Sequence, residues 1–415
     1  MYDFETLIDR RGTGASKWVH NPFTEGELED IVPLSVADME FTAPPELRRC
    51  LTDLAQNGVF GYQNADEDYF KSVQGWFERR QGYTPEFEWL VPAQGVVQAL
   101  VGCIRTFSMP GDGVIIQEPV YYPFRYYTEL HHRMVVNNPL VESVAEDGRL
   151  HYGIDFDGLE EVCARPDTRI LLFCNPHNPV GRVWTADEVR CVAEICERHG
   201  VLLVSDEIHG DLILGERPLT SVMTLPDELR RNAVVCTAPS KTFNLAGLMN
   251  SNVWIVDDRL RERFNTEMGY LVINGPTNFA RFATMCVYDE CEPWLEELLE
   301  YLKGNYDLLI GRLSEAFPKM RWSEHEGTYL VWTDWRAYFD DADELEKFSL
   351  EKAKIAFDEG KMFGVGGAGF ERWNIACPRR VLDKAITRFI EAAKDDPHFA
   401  EDVPCHVIPG VQRSG

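Results

Sequence analysis

The chain has 415 residues, of which 45% are hydrophobic, and this length exceeds that of a single compact core, so we expect two domains. Its 68 acidic and 41 basic side chains give a formal charge of -27, which repels nucleic-acid phosphates and anionic lipids. No apolar stretch approaches the roughly 18 to 20 residues of a membrane span, and the acidic first residues lack the build of a secretory signal. We therefore expect a soluble, cytoplasmic protein that binds neither nucleic acid nor membranes.

Eleven cysteines are scattered along the chain, and none forms a C-x-x-C pair with another. Cys103, Cys174 and Cys236 lie inside apolar runs, which is typical of reduced and buried thiols. Cys191 and Cys196 are five residues apart on a predicted helix, a spacing that does not place both on one face for a metal ion. We expect no structural zinc site.

Apolar runs and helical patterns alternate from about residue 45 to residue 285. Buried strands are predicted at residues 114–116, 170–174, 201–204, 234–237 and 253–256. A helix predicted at residues 185–199 begins with a capping box, because Thr185 can cap the first amides and Glu188 follows three residues later. This alternation predicts an α/β domain in which helices cover both faces of a mostly parallel sheet.

A second, smaller domain is predicted from the sequence that follows. A long amphipathic stretch begins near Glu292 and continues through Leu298 to Leu309. Strands are predicted near residues 328–332 and 373–376, so this part of the chain is expected to combine helices and strands.

Polar residues follow three predicted strands of the large domain, and they are Asn178, Asp206 and Lys241. Because ligands bind at the carboxyl ends of parallel strands, we expect these side chains to meet in one crevice. Lys241 lies among small and apolar neighbours, and burial would lower its pKa, as an amine needs if it is to form a Schiff base with an aldehyde. The set suits pyridoxal phosphate, which needs a lysine, a carboxylate at the pyridinium nitrogen and a polar group at the phenolic oxygen.

Each of these residues also has an alternative interpretation. Lys241 could extend its ammonium to water from a loop, Asp206 could cap a helix, and Asn178 could be a turn residue beside a proline. Asp206 could also bind a metal ion together with His177 and His209, as in a hydrolase. The combination of residues favours the cofactor over these alternatives.

Residues 364–369 fit the pattern G-x-G-x-x-G, which occurs in dinucleotide sites. Such a site needs a strand before the glycines and a helix after them, whereas residues 370–375 have the pattern of a strand. We therefore expect no nicotinamide cofactor here. The glycines are expected to let the chain turn so that Arg372 reaches the active site.

Eight segments, in order along the chain, resemble fold-type I pyridoxal phosphate enzymes of the aminotransferase class I/II superfamily, and among these the MalY/PatB-type cystathionine β-lyases. They are residues 10–18, 36–41, 60–62, 119–124, 175–182, 205–210, 238–248 and 372–378. The resemblance implies a three-layer α/β/α large domain of residues 45–288. It also implies a smaller α+β domain of residues 1–44 and 289–415, and a homodimer with shared active sites.

The resemblance further implies a role for each residue near the cofactor ring. Lys241 binds the cofactor aldehyde and takes the α-proton of the substrate, while Asp206 stays ionised and keeps the ring nitrogen protonated. Asn178 binds the phenolic oxygen, Tyr121 stacks on the ring, and His209 stands where many aminotransferases have a tyrosine. Tyr122 is an alternative for the stacking residue.

Other residues are implied to bind the phosphate and the substrate. The phosphate partners are the helix-start residues Gly95, Val96 and Val97, the hydroxyl of Ser240, and Tyr62 of the neighbouring subunit. Met249 occupies a position where class I aminotransferases usually have an arginine, so one phosphate partner stays unidentified. Arg372 is expected to bind the substrate α-carboxylate, with a surface salt bridge as the alternative, and Asp38 and Met39 are expected at the entrance.

The fold alone cannot select the reaction, because the same cofactor supports several outcomes. The lyase-like segments favour β-elimination from an L-cysteine S-conjugate such as cystathionine, which gives a thiol, pyruvate and ammonia. An aminotransferase acting on an L-amino acid is the main alternative. A regulatory protein that acts through a partner is a further one.

Overall fold

The computed structural model describes residues 1–19, 31–272, 275–400 and 402. In chain order, its helices α1 to α14 are Ser16–Val19, Pro45–Asn57, Glu67–Gln81, Val96–Phe107, Pro123–Leu130, Phe156–Cys163, Ala186–His199, Asp227–Arg230, Pro239–Thr242, Asp258–Leu271, Asn278–Glu290, Glu292–Ala316, Ala342–Lys347 and Arg379–Lys394. Its strands β1 to β15 are Val32–Pro33, Leu90–Ala93, Gly113–Ile116, Met134–Asn137, Val141–Val144, Leu150–Gly153, Thr168–Cys174, Leu202–Asp206, Ala233–Thr237, Ser251–Trp254, Arg321–Trp322, Leu330–Asp334, Ile355–Ala356, Asp358–Glu359 and Phe370–Asn374.

The largest sheet has seven strands in the order β2-β10-β9-β8-β7-β3-β4. Strands β3, β4, β7, β8 and β9 are parallel, whereas β10 is antiparallel to both of its neighbours. Alternate residues of the inner strands belong to two separate apolar clusters, one on each face: Leu171 and Leu203 to the first, Leu172 and Val204 to the second. The sheet is therefore buried on both sides, and the predicted α/β fold with a mostly parallel sheet is confirmed.

Local signals placed several elements correctly. Helix α7 has the predicted capping box, since the Thr185 hydroxyl accepts from the Glu188 amide and the Glu188 carboxylate accepts from the Thr185 amide. The amphipathic stretch that begins near Glu292 is helix α12. The strand predicted at residues 253–256 begins earlier, at Ser251, and is antiparallel.

A four-stranded antiparallel sheet, in the order β11-β12-β15-β14, lies in the second part of the chain. The bounds of its two inner strands differ from the predicted ranges. Strand β12 begins at Leu330 rather than at position 328, and β15 ends at Asn374 rather than at position 376. The pairing of Leu330 with Asn374 and of Trp332 with Arg372 fixes these bounds. Residues 370–374 form a strand, so the glycines before them lead into a strand, as expected.

The N-terminal residues lie against this second part of the chain. Strand β1 pairs in parallel with β13, and the ring of Phe4 contacts the rings of Trp294 and Tyr301. Helix α11 ends at Glu290 and α12 begins at Glu292, so the predicted boundary after residue 288 falls inside α11. The division into residues 45–288 and the remainder stays a prediction.

Candidate active site

The carboxyl ends of β7, β8 and β9 meet at one edge of the central sheet, because these three strands are parallel neighbours. A cavity of about 370 Å³ lies at this edge, and we call it the Lys241 cavity. Asn178 follows β7, Asp206 is the last residue of β8, and Lys241 lies on the short helix α9 that follows β9. All three side chains line the cavity, so the structure brings together the residues that the sequence predicted to converge.

The amine of Lys241 lies at the cavity wall, and its hydrogen bond to the protein is partly buried. It donates a hydrogen bond of 2.5 Å to the carbonyl oxygen of Ala37, which also accepts a hydrogen bond of 2.9 Å from the hydroxyl of Tyr329. Burial and, to a smaller extent, the guanidinium of Arg372 lower the pKa of Lys241 to about 8. A considerable fraction of this amine is therefore neutral near physiological pH, which makes it a usable nucleophile and base.

Asp206 is buried in the floor of the cavity. Its carboxylate accepts a hydrogen bond of 3.1 Å from the amide of Ile208. Burial raises the pKa of Asp206 to about 7, and the Ile208 amide and the charge of Lys241 only partly oppose this effect. The expected ionised state of Asp206 therefore requires a cation opposite the carboxylate, and a protonated ring nitrogen would supply it.

Tyr121 and His209 complete the surroundings expected for a flat ring. Both are buried or nearly so and line the cavity, whereas Tyr122 lines a different cavity. Burial, together with the charges of Lys241 and Arg372, holds the pKa of His209 well below its ordinary value, so its imidazole is neutral. Its Nδ1 atom has no hydrogen-bond partner among the described residues, which leaves a polar group available to a ligand.

The amino end of helix α4 forms another wall of the cavity. Gly95 precedes the helix with a φ of 127°, a backbone conformation that favours glycine, and no side chain caps the first amides. Gly95, Val96, Val97 and Ser240 all line the cavity. Uncapped amides at the start of a helix are a suitable site for a phosphate group.

Arg372 lies on β15 and does not itself line the Lys241 cavity, but it contacts Asn178, which does. Its Nη1 donates a hydrogen bond of 3.1 Å to Oδ1 of Asn178, and its Nη2 forms an ion pair with Asp358. Its Nε has no partner among the described residues, although the side chain is buried. The geometry places a buried guanidinium, rather than a surface salt bridge, beside the residue expected to contact the cofactor.

Asp38, Met39 and Tyr62, like Arg372, are predicted site residues that do not line the Lys241 cavity of their own chain. Asp38 is largely buried, and its carboxylate pairs with Arg10 at 2.7 Å and with Lys17 at 2.9 Å. Tyr62 is fully exposed, at 107% of its reference surface. The position of Asp38 favours holding the chain beside Ala37 over contacting the substrate.

Met249 lines the Lys241 cavity at the position where an arginine was expected in aminotransferases. Among the described residues that line the cavity, Lys241 is the only lysine or arginine. The missing phosphate partner therefore stays unidentified within one chain.

Sequence reasoning missed several residues that hold the site together. Lys17 is buried and donates to the carbonyl of Asp38, and Asn244 accepts from the amide of Met39 and donates to its carbonyl. Asp358 binds Arg372 and also accepts from the amide of Val36. Lys17 lies in a segment that carried the family resemblance, whereas no local pattern marked Asp358.

The donor set suits pyridoxal phosphate. The cavity offers an amine with a lowered pKa, a buried carboxylate without a cationic partner in contact, an orphaned imidazole nitrogen and uncapped helix amides. A metal site has no such support, since the described residues contain no group of three or more His, Cys, Asp or Glu that could hold a metal ion. The described part of the chain also contains no helix that is both long and apolar enough to span a membrane.

Comparisons with known proteins agree with this geometry. The model of the aminotransferase class I and II family matches residues 29–389. Cystathionine β-lyase PatB of Bacillus subtilis is 37% identical over 394 residues, which cover 94% of this chain and 99% of PatB. Protein MalY of Escherichia coli is 32% identical over 396 residues, which cover 95% of this chain and 99% of MalY.

The fold is also similar to that of a solved enzyme structure. The crystal structure of cystalysin from Treponema denticola, which contains a pyridoxal 5′-phosphate cofactor, matches with a TM-score of 0.90 and 39% identity. The match covers 95% of this chain and 99% of cystalysin. The similarity therefore extends over nearly the full length of both chains.

Proposed function

The chain belongs to the aminotransferase class I and II family, and we propose that it is a pyridoxal phosphate-dependent carbon–sulfur β-lyase. It cleaves L-cystathionine or related L-cysteine S-conjugates to a thiol, pyruvate and ammonia. The observation that carries this proposal is the amine of Lys241, whose pKa is lowered to about 8, in one cavity with Asp206 and Asn178. The similarity to PatB, a cystathionine β-lyase, favours elimination over amino-group transfer.

When bound, pyridoxal phosphate supplies an electron sink for the electron pair of a broken Cα–H bond. Lys241 would hold the cofactor aldehyde, and its amine, with its lowered pKa, suits it to accept the proton from the substrate Cα. Asp206 would hold the ring nitrogen and keep a proton on it. The neutral imidazole of His209 adds no competing positive charge beside Lys241.

Arg372 binds the substrate α-carboxylate, because a planar guanidinium can donate two parallel hydrogen bonds to it. Its contact with Asn178 at 3.1 Å aligns the guanidinium with the group that binds the phenolic oxygen. Tyr121 lines the Lys241 cavity and would pack against the ring, where it would exclude water from one face. The carbonyl of Ala37 holds the amine of Lys241 at the cavity wall until the site is loaded.

We also propose a homodimer in which Tyr62 contacts the phosphate of the neighbouring subunit. Tyr62 and its sequence neighbours Val59 and Phe60 are all exposed, and exposed apolar side chains next to one another favour contact with a second copy. This arrangement would add a hydroxyl to the phosphate site that lacks an arginine at position 249. A cytoplasmic location stays a prediction.

The main alternative is an aminotransferase, which the family description itself names. Purified protein loaded with pyridoxal phosphate is mixed with L-cystathionine and a 2-oxo acid. We expect thiol and pyruvate to accumulate in equal amounts, with little new amino acid. Exclusive formation of a new amino acid would replace the lyase by the aminotransferase.

The variant Lys241→Ala tests the role of the lysine directly. We expect turnover to fall by roughly 10²- to 10⁴-fold or more, the contribution of a positioned general base. Borohydride treatment should fix the cofactor on the wild-type peptide that contains Lys241, and mass spectrometry should find no such label in the variant. Lys303→Ala, which removes a partly exposed amine paired with Glu300, serves as the control.

A further inference from the structure

A second cavity, of about 530 Å³, adjoins the Lys241 cavity, and we call it the acidic cavity. Val36 lines the acidic cavity, while the next residue, Ala37, lines the Lys241 cavity. Asp358 also lines the acidic cavity, and its carboxylate forms the ion pair with Arg372. The acidic cavity therefore neighbours the Lys241 cavity at residues 36 and 37 and reaches Arg372 through Asp358.

Three glutamates from three elements line this cavity. Glu346 lies on α13, Glu359 on β14 and Glu371 on β15. Burial, together with the neighbouring carboxylate of Glu346, raises the pKa of Glu359 to about 7. The charged form of Glu359 is therefore disfavoured, and a cation placed beside it in the cavity would stabilise that form.

Glu371 is an independent indication that the acidic cavity takes a ligand. Its side chain has 0% exposure, and its Oε1 accepts a hydrogen bond of 2.8 Å from the hydroxyl of Ser349. Its Oε2 has no hydrogen-bond partner among the described residues. A buried carboxyl oxygen without a partner is costly, and a donor placed in the cavity would relieve that cost.

The cations around the acidic cavity are already engaged. Lys361 pairs with Asp343 at 2.8 Å and with Glu346, and the buried amine of Lys17 pairs with two carboxylates of residues 38–40. The described residues contain no cluster arranged to hold a metal ion. The ligand that fits is therefore an organic ammonium group, which can donate to several carboxyl oxygens at once.

We propose that the acidic cavity binds the part of the substrate beyond its sulfur atom and selects L-cysteine S-conjugates whose leaving thiol carries an ammonium group. This inference rests on the lyase function proposed above. Arg372 holds the α-carboxylate, Lys241 acts at Cα, and the ammonium at the far end is bound by Glu359 and Glu371. Asp358 pairs with Arg372 and lines the acidic cavity, so it links the group that binds the α-carboxylate to the glutamates that bind the ammonium.

Three conjugates of similar size distinguish this proposal from simple steric accommodation. S-(2-aminoethyl)-L-cysteine carries a distal ammonium, S-propyl-L-cysteine is its neutral isostere, and S-(2-carboxyethyl)-L-cysteine carries a distal carboxylate. The holoenzyme is assayed for pyruvate release, and kcat/KM is measured for each conjugate in the wild type and in Glu359→Gln, Glu371→Gln and Glu346→Gln. The control is Glu351→Gln, which removes an exposed glutamate from the same helical region without touching the cavity.

We expect the wild type to favour the aminoethyl over the propyl conjugate by about tenfold or more, the size of effect of hydrogen bonds to a charged group. The preference should fall toward unity in Glu359→Gln and Glu371→Gln and should persist in Glu351→Gln. The ratio of kcat/KM for the aminoethyl conjugate to kcat/KM for the propyl conjugate is compared within each variant. A general loss of activity therefore does not affect the conclusion. Glu346 is a more exposed member of the cluster. If a variant at a buried glutamate fails to fold, Glu346→Gln serves as the test in its place.

Each other outcome has a definite meaning. Equal kcat/KM values for the aminoethyl and propyl conjugates in the wild type, or a preference unchanged in all three cavity variants, would overturn this inference and leave the lyase function standing. The same holds if the carboxyethyl conjugate is the best substrate. If none of the conjugates releases pyruvate, the proposed function fails and this inference fails with it.

Discussion

Lys241 and Asp206 lie in surroundings that disfavour their charged forms. Burial lowers the pKa of Lys241 to about 8 and raises the pKa of Asp206 to about 7. Both shifts cost folding free energy over part of the pH range, because the unfolded chain keeps the ordinary values. A site prepared for a cationic ring is therefore a source of instability while it is empty.

The variant Asp206→Asn should stabilise the cofactor-free protein at pH 8. Between the ordinary pKa of an aspartate and about 7, folded wild-type protein holds a proton that the unfolded chain has lost, so its stability falls as the pH rises through this range. The amide does not titrate, so the gain of the variant grows from near zero at low pH to its full value above pH 7. We expect a gain on the order of a few kcal/mol, measured as thermal unfolding midpoints at pH 4 and pH 8.

The exposed Asp340→Asn is the matched control for this measurement, since it removes the same charge from the surface. A midpoint of Asp206→Asn equal to or below that of the wild type at pH 8 would contradict the burial argument. Lyase activity of the same variant should fall by several orders of magnitude, so stability and function move in opposite directions.

The convergence of residues that follow strand ends could be predicted from the sequence. Asn178, Asp206 and Lys241 follow apolar runs that were recognisable as strands, and parallel strands place such residues together. Asp358 could not be found this way, because it contacts the amide of Val36 across 322 positions of the chain. Contacts of this kind depend on how the N-terminal segment packs and leave no local periodicity.

At the scale of elements, the short helix α9 must hold Lys241 against the cavity. Four residues cannot form a stable helix alone, so its position depends on tertiary contacts. The hydroxyl of Thr242, next to Lys241, donates a hydrogen bond of 2.9 Å to the buried carboxylate of Asp211. The same carboxylate accepts a hydrogen bond from the indole of Trp76. This bond ties α9 to the segment that follows β8 and to helix α3.

Thr242→Val keeps the shape of the side chain but removes this donor. Burial raises the pKa of Asp211, and the hydrogen bond from Thr242 lowers it, so loss of the bond leaves a buried carboxylate less well satisfied. We expect a loss of about 1–3 kcal/mol in unfolding free energy and weaker binding of pyridoxal phosphate, measured by denaturant titration and by cofactor titration. Thr242→Ser retains the hydroxyl and should behave like the wild type; equal stability of the valine and serine variants would refute the argument.

Element bounds were predictable where local chemistry sets them and less so where pairing does. The start of α7 was predicted because Thr185 and Glu188 form a capping box within four residues. The strands of the smaller sheet were displaced from their predicted ranges, since cross-strand pairing between β12 and β15 decides where they begin and end. The antiparallel direction of β10 is likewise a property of its neighbours rather than of its own residues.

At the scale of the whole molecule, the shared active site proposed above would account for both the exposed Tyr62 and the cavity without an arginine at position 249. Apolar side chains exposed together on a folded chain favour contact with another surface. In a twofold dimer, the same patch of each subunit would face its partner, so each Tyr62 could serve the other cavity. The oligomeric state itself is open to measurement by sedimentation.

Subunit mixing tests the shared site, because Lys241→Ala and Tyr62→Ala would then damage different cavities of a mixed dimer. One cavity of that dimer would contain both changes, while the other would have an intact Lys241 and an intact Tyr62. After unfolding and refolding an equal mixture of the two variants, we expect lyase activity to rise toward about one quarter of the wild-type value, since about half of random dimers are mixed and each has one intact site of two. Mixing Lys241→Ala with Asp206→Asn should give no recovery, because both residues line the cavity of their own chain and no mixed cavity is complete. If the Tyr62 mixture recovers no more than this control, Tyr62 does not act across the interface and the missing phosphate partner must be sought within one chain.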